Sequence, residues 1–411
     1  MIIRRITLVL LTLLLSLMPL RTAAAQSGVP EIVGGAAILV DCFNGQILYE
    51  KEAYKRMYPA STTKILTAII ALENNKLSET VKVPREACLV GGSSIGLQEG
   101  ELISLRDLVY ALLLNSGNDA ATAIAVHVGG SVSGFVDMMN QKAIELRAFS
   151  SNFKNPHGLS DEDHYTTAYD LYLIADYAMK NPLFREIVAT ETSEMQRTHP
   201  EAQVKLANSN KLLRKYDEVI GIKTGYTDMA GQCLVSAAAK QERELIAVVL
   251  ASDGQLVYDD SMNLLNYGFD RFNLQAVVEE GDYIISLPVK NGREGTVQLL
   301  AGGSLYYNQP VDGTITVEKK IELTKFATAP LKAGEKLGEL IIIDGGREIV
   351  RVDLYCLTDV PKALTAYWKY AAGVVLLLVV IRIINGIRRA KRRRAFLRRR
   401  RMQNYAYSNT K

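Results

Sequence analysis

Gly221-Ile222-Lys223-Thr224-Gly225-Tyr226-Thr227 is the most informative stretch of the sequence, because it follows Ser61-Thr62-Thr63-Lys64 and Ser116-Gly117-Asn118 as the third of three short runs that combine hydroxyl, amide and lysine side chains. None of the three signals is specific alone. Ser151 to Lys154 repeats the Ser-x-x-Lys spacing, and Ser150 to Asn152 and Ser261 to Asn263 repeat Ser-x-Asn, so the ordered set carries the information. Its chemistry is coherent. A serine hydroxyl is a weak nucleophile until a base takes its proton, and Ser61 and Lys64, three residues apart at a helix start, share one face about one turn apart. Lysine serves as a base only when its pKa is lowered, which burial and a neighbouring cation both achieve. Lys223 is the candidate neighbour.

Working outward, Ala36 to Val40 and Ile47 to Tyr49 flank an Asn44-Gly45 turn and read as a hairpin. A helix is expected from near Ser61 to about Glu73, with Ile65, Leu66, Ile69, Ile70 and Leu72 as its apolar face. Ser104-Leu105-Arg106-Asp107 reads as a capping box opening a helix through Leu114, and Asp119 to Val128 as a second helix, leaving Ser116 in the turn between them. Val219 to Thr227, Cys233 to Ala239 and Glu244 to Ala251 read as an antiparallel meander, followed by a helix from Val257 to Phe272. From about Leu274 the texture changes to short alternating strands, as in Tyr283 to Val289, Thr314 to Leu323 and Glu339 to Ile343. This predicts a second, β-rich domain ending near Leu357.

The two ends are asymmetric. Arg4 and Arg5 precede an apolar stretch from Ile6 to Leu17, and Ala23-Ala24-Ala25 follows, which is the pattern of a cleaved secretory signal. Near the other end, Tyr370 to Ile381 carries no charge, and the apolar character extends over residues 366–387 if Lys369 and Arg382 reach the interfaces. Residues 388–401 then hold ten Lys or Arg and no acid. Removing the three basic residues before residue 26 and the thirteen after residue 366 from the formal net charge of +4 leaves −12 for the body. An acidic exported body with a basic cytoplasmic tail is the orientation this asymmetry favours. A nucleic-acid role for the tail is the alternative, but the basic run directly abuts a hydrophobic span.

Cys42, Cys88, Cys233 and Cys356 are widely spaced in an exported body, where a disulfide is the alternative and buried free thiols are the expected state. His127, His157, His164 and His199 form no compact ligand pattern, which argues against a zinc peptidase. No metal and no organic cofactor is expected.

Tyr58-Pro59-Ala60-Ser61-Thr62-Thr63-Lys64, Ser116 to Ala121, Asn155-Pro156-His157-Gly158-Leu159 and Gly221 to Thr227 together resemble the D-alanyl-D-alanine carboxypeptidases, the low-molecular-mass penicillin-binding proteins of serine peptidase family S11. The resemblance covers residues from about 31 to 360 and implies an α+β fold. A β-lactamase/transpeptidase-like domain, with a five-stranded antiparallel sheet flanked by helices, would be followed by a smaller all-β domain and a C-terminal transmembrane helix. The implied organisation is 1–25 signal peptide, 26–273 penicillin-binding serine peptidase domain, 274–358 β-rich domain, 359–365 linker, 366–387 transmembrane helix and 388–411 basic tail. Carried over residue by residue, Ser61 is the acylated nucleophile, Lys64 its general base and Ser116 a proton shuttle toward the leaving D-alanine. Asn118 would bind the substrate amide, and Lys223 and Thr224 the terminal carboxylate. The backbone N–H groups of Ser61 and Tyr226 would form the oxyanion hole. Gly225, lacking a Cβ, would let an extended peptide pair with the strand edge. The implied partners are peptidoglycan stem peptides ending in D-Ala-D-Ala, β-lactam antibiotics and the cell membrane, with no nucleic acid.

One departure stands out: many family members carry an arginine just after the strand that follows the Lys-Thr-Gly strand, and Ala251 to Val257 has none. Two other functions compete. A β-lactamase needs a carboxylate base for deacylation, usually in a Glu-x-x-x-Asn arrangement, and no Glu between residues 119 and 222 has Asn four positions later. An idle wall-binding protein would be expected to have a damaged motif, and all three are intact. The expectation is therefore a membrane-anchored serine carboxypeptidase that removes the terminal D-alanine from pentapeptide stems.

Overall fold

The computed structural model describes residues 28–408, apart from 75–76, 200–201, 203, 314–316 and 325. The signal-peptide expectation falls outside the described residues. The chain forms two compact units: one runs to Asn273 and takes back Asn308–Thr314, and the other comprises Leu274–Tyr307 and the chain from Ile315. The returning segment is held by specific bonds. Asn308 N donates to Gln46 Oε1 at 2.7 Å, Gln46 Nε2 donates to the Asn308 carbonyl at 3.1 Å, and Arg243 Nη2 donates to Asn308 Oδ1 at 2.8 Å.

The first unit is built on strands β1 (Ala36–Asp41), β2 (Ile47–Lys51), β3 (Val219–Thr227), β4 (Gly231–Lys240) and β5 (Arg243–Ser252). They form a five-stranded sheet in the order β2-β1-β5-β4-β3, antiparallel throughout, so β3 is an edge strand. Period-two alternation sorts the side chains of its centre to two cores. Ile38, Val40, Ile246 and Val248 face the larger core, whereas Leu39, Leu245, Ala247 and Val249 face the smaller.

Helix α1 (Lys64–Asn74) crosses the larger core with α2 (Leu105–Leu114), α3 (Asn118–Gly129), α4 (Val132–Glu145), α5 (Ala168–Met179) and α6 (Pro182–Ala189). On the other face, α7 (Leu256–Arg271) closes the smaller core through Val257, Leu264 and Leu265. Local chemistry sets the helix starts. Ser104 caps α2 by accepting from Asp107 N at 3.0 Å, as its sequence implies. Thr167 does the same for α5 through Asp170 N at 3.0 Å, and Asn181 precedes a proline at the first position of α6.

Two expectations are corrected. Ser61 is not in an α-helix: Ala60–Thr63 form a 3-10 turn, and α1 begins at Lys64. Ala60, the first residue of that turn, has φ +48°, outside helical geometry. Of the cysteines, Cys233 and Cys356 are buried, but Cys42 is half-buried and Cys88 is exposed; no disulfide joins any of them among the described residues. Cys88 lies in a short helix, Arg85–Leu89, of which only Ala87 is buried.

The second unit is a five-stranded antiparallel sheet of β6 (Tyr283–Pro288), β7 (Thr296–Ala301), β8 (Glu318–Leu323), β9 (Lys336–Asp344) and β10 (Arg347–Cys356), in the order β6-β7-β10-β9-β8. Leu287, Val297, Leu299, Leu340, Ile342 and Leu354 supply its core. Helix α8 (Trp368–Ser408) follows a 3-10 turn at Leu364–Tyr367 and continues through the arginine run, so residue 388 marks a change of composition and not of backbone. Its Trp368–Met402 segment has a window of mean hydropathy 2.2 with none of it buried, and is long and apolar enough to cross a membrane.

Candidate active site

The site is organised around one ammonium group. Lys64 is fully buried, and its Nζ donates to Ser61 Oγ at 2.8 Å, Asn118 Oδ1 at 2.7 Å and the His157 carbonyl at 2.7 Å. Each acceptor is fixed by its own surroundings. Asn118 opens α3, and its Nδ2 donates to the Gly91 carbonyl at 2.6 Å, so Oδ1 is the end presented to Lys64. The His157 carbonyl belongs to a loop tied by Asn155, whose Oδ1 accepts from Gly158 N at 2.7 Å and whose Nδ2 donates to the Leu159 carbonyl at 2.9 Å. Thr67, one turn along α1, donates to the Pro156 carbonyl at 2.6 Å. Gly158 has φ +86°, and a Cβ there would lie 1.8 Å from the Ala60 carbonyl oxygen. Only glycine lets this loop reach the Ser61 turn.

The arrangement has an acid-base consequence. An ammonium has three N–H donors and a neutral amine has two plus a lone pair. Asn118 Oδ1 and the His157 carbonyl can only accept, so two N–H bonds stay on them and the lone pair of a neutral Lys64 must face the Ser61 hydroxyl. Burial, and then the nearby charge of Lys223, hold Lys64 well below the ordinary lysine range, while Asp119 acts in the opposite sense. Lys223, itself 1% exposed, is brought down to about 7 by burial.

The two nearby histidines stay neutral. His157 is lowered to about 3, chiefly by burial and then by Lys64, and its Nδ1 accepts from Leu159 N at 3.2 Å. His164 is lowered to about 4, again first by burial. Because His164 Nδ1 accepts from Lys154 N at 3.1 Å, its proton resides on Nε2, which donates to Thr63 Oγ1 at 2.9 Å.

Ser116 stands in the turn between α2 and α3 with φ +61°, a conformation unfavourable for a residue with a Cβ. Its Oγ is buried and has no hydrogen-bond partner among the described residues. A buried hydroxyl left unpaired costs about 1–3 kcal/mol, and such strain gathers where a substrate later supplies the partner.

Along β3, Lys223 Nζ donates to the Thr224 carbonyl at 3.0 Å, and Thr224 Oγ1 lies 2.9 Å from Ser209 Oγ. Gly225 also has a reason within the fold itself. A Cβ at 225 would lie 2.9 Å from Ser61 N and 3.1 Å from the Pro59 carbonyl, so its absence seats the edge strand against the Ser61 turn. That contact brings the N–H of Ser61 beside β3. The Tyr226 side chain is exposed, with its hydroxyl on Asp228 Oδ1 at 2.8 Å.

The structure thus brings Ser61, Lys64 and Asn118 into direct contact and sets Gly225 against Ser61, with Lys223 close enough to act on the charge of Lys64. Ser151 and Lys154 do not form a rival pair, because Ser151 Oγ donates to Asp170 Oδ2 at 2.8 Å. Sequence reasoning gave no role to Ser209, His164 or Asn155. Ser209 lies in Asn208-Ser209-Asn210, whose Asx turn is a local signal: Asn208 Oδ1 accepts from Asn210 N at 2.9 Å. After β5, where the arginine is missing, Gln255 Oε1 is 3.5 Å from Lys211 Nζ.

Comparison with known proteins agrees with this geometry. The D-alanyl-D-alanine carboxypeptidase family profile matches residues 22–254, and the profile of the penicillin-binding protein 5 C-terminal domain matches residues 272–362. The D-alanyl-D-alanine carboxypeptidase DacF of Bacillus subtilis is 30% identical over 335 residues, covering 80% of this chain and 86% of its own. Among solved structures, penicillin binding protein 5 from Haemophilus influenzae superimposes with a TM-score of 0.68 at 28% identity, covering 82% of this chain and 99% of its own. A peptidoglycan synthesis regulatory factor (PBP3) from Streptococcus pneumoniae gives 0.66 at 27% identity, covering 80% and 100%. A serine and a buried lysine joined by a hydrogen bond, on this sheet and with this second unit, place the chain in the D-alanyl-D-alanine carboxypeptidase family of serine peptidases, S11.

Proposed function

We propose that Ser61 is the residue acylated during removal of the terminal D-alanine from pentapeptide stems, and that Lys64 is the base that activates it. The observation that carries this reading is the set of three acceptors around Lys64 Nζ, which leaves a neutral lysine no direction for its lone pair except the Ser61 hydroxyl. In this mechanism Lys64 takes the hydroxyl proton as Oγ attacks the carbonyl carbon of the penultimate D-alanine. The N–H groups of Ser61 and Tyr226 receive the developing oxyanion. The C–N bond then breaks, and the leaving amine takes a proton relayed through Ser116, whose unpaired Oγ has capacity for both bonds of a shuttle. Water hydrolyses the ester and returns Ser61.

Recognition follows from the same strand. Lys223 in its charged form and Thr224 Oγ1 would hold the terminal carboxylate, Asn118 Nδ2 has a second hydrogen to offer the substrate amide, and the free edge of β3 would pair with the extended peptide. A β-lactam presents a carboxylate and a strained acyl carbon in the same relation, so covalent penicillin binding at Ser61 is part of the reading. The C-terminal helix is the proposed single-pass anchor, with the arginine run in the cytoplasm and the peptidase unit outside.

Ser61→Ala will lose D-alanine release and covalent labelling by fluorescent penicillin together, each by about 10³-fold or more, because both need one oxygen. Full labelling of that variant would show another nucleophile.

Acylation by penicillin will rise with pH along a limb set by Lys64, which acts only when neutral. Neither His157 nor His164 titrates near neutrality, so neither sets this limb. Lys223→Gln removes a positive charge that favours neutral Lys64, so Lys64 will hold its proton to higher pH and the limb will move up by about one pH unit. The readout is the second-order acylation rate across pH; an unmoved limb would show that the two lysines are uncoupled.

The intact chain will resist alkaline carbonate extraction from membranes, and, in a background with Cys42→Ser and Cys88→Ser, a cysteine placed in the arginine run will react with a membrane-impermeant thiol reagent only after the cells are opened. Labelling of that cysteine in intact cells would contradict the orientation.

A further inference from the structure

We propose that the end of the β-rich unit that carries Phe326 lies on the outer surface of the lipid bilayer, as a second membrane contact beside the helix anchor. This rests on the reading of α8 as a membrane span.

Three segments of the unit lie side by side at this end. Lys290 N donates to the Ala327 carbonyl at 2.9 Å and Ala329 N to the Lys290 carbonyl at 3.0 Å. Arg293 N donates to the Pro361 carbonyl at 2.9 Å, and Ala363 N to the Asn291 carbonyl at 2.9 Å. The chain is therefore fixed to the unit as far as Ala363, and α8 begins at Trp368. Even fully extended, the five residue steps between them span at most about 18 Å. A helix that enters the bilayer at Trp368 cannot hold this end far from the headgroups.

The surface of this end suits that position. Phe326 and Leu364 are each 89% exposed, the highest values among the exposed large hydrophobic side chains described. Beside Phe326 is an open hollow of about 540 Å³ lined by Leu287, Val289, Lys290, Leu323 and Ala327. Within residues 288–294, 326–332 and 359–363 the cations are Lys290, Arg293, Lys332 and Lys362, and the acids are Glu294 and Asp359. An exposed aromatic ring and an aliphatic side chain among net positive charge match the boundary of an anionic phospholipid layer. Tyr283, also exposed, stands at the far end of β6 from Pro288, which borders the hollow.

The test is depth-dependent quenching in the full-length protein reconstituted into phosphatidylglycerol-containing vesicles. Trp368 is the single tryptophan, so Trp368→Phe gives a silent background into which Phe326→Trp or Tyr283→Trp is placed. With brominated acyl chains, the tryptophan at position 326 will lose fluorescence and the one at 283 will not. Equal fluorescence at the two positions, in vesicles from which carbonate does not extract the protein, overturns the contact while leaving the anchor intact. Shielding at 326 that persists without bromine quenching means that a protein covers the face, and also overturns the proposal. Extraction by carbonate overturns the anchor and the contact together.

Discussion

The structure of the site depends on holding a lysine ammonium in a fully buried place with three acceptors and no carboxylate among them. Removing a charge from water is costly, and the usual compensation is an ion pair. Here the largest contribution that Lys64 feels from another charge is repulsive, from Lys223, so the protein resolves the cost by lowering the affinity of Lys64 for its proton. The burial that penalises the charged form is what would let Lys64 serve as the base proposed for Ser61.

Most of the surrounding architecture keeps those acceptors in position. The Asn155–Leu159 loop presents a carbonyl, and Gly158 permits it to touch the Ser61 turn. The start of α3 presents Asn118, and Asp119 beside it gathers Ser94 Oγ, Ile95 N and Leu97 N, fixing the loop that holds Asn118 Nδ2 through Gly91. Gly225 sets the edge strand against Ser61. Positive φ at Ala60 and Ser116, each costing on the order of 1–3 kcal/mol, persists because this packing over-determines both turns.

Much of this was legible in the sequence, for a physical reason. The three motifs are short runs whose residues act from adjacent backbone positions, and the sheet strands show clear β runs between turn residues. The 3-10 turn at Ser61 was not legible, because the apolar face of α1 begins only after it and gives no warning of positive φ at Ala60. Helices α4, α5 and α6 escaped a reading guided by hydrophobic runs, although Ser131, Thr167 and Asn181 mark their starts as side-chain caps. Contacts such as Ser209 with Thr224 and Thr63 with His164 join residues 15 and 101 positions apart, and no local pattern encodes them. The glycine at 225 was recognised as necessary, but its neighbour is the Ser61 turn, which only the folded chain reveals.

The most direct test is the ionisation of Lys64 itself, followed by NMR in protein carrying 13C at lysine Cε, with the Lys64 signal assigned by its absence in Lys64→Arg. This carbon will titrate well below the ordinary lysine value of 10.5. If Lys64 titrates at the ordinary value while Ser61 is still acylated at neutral pH, the buried lysine is not the base and the account of the site is wrong.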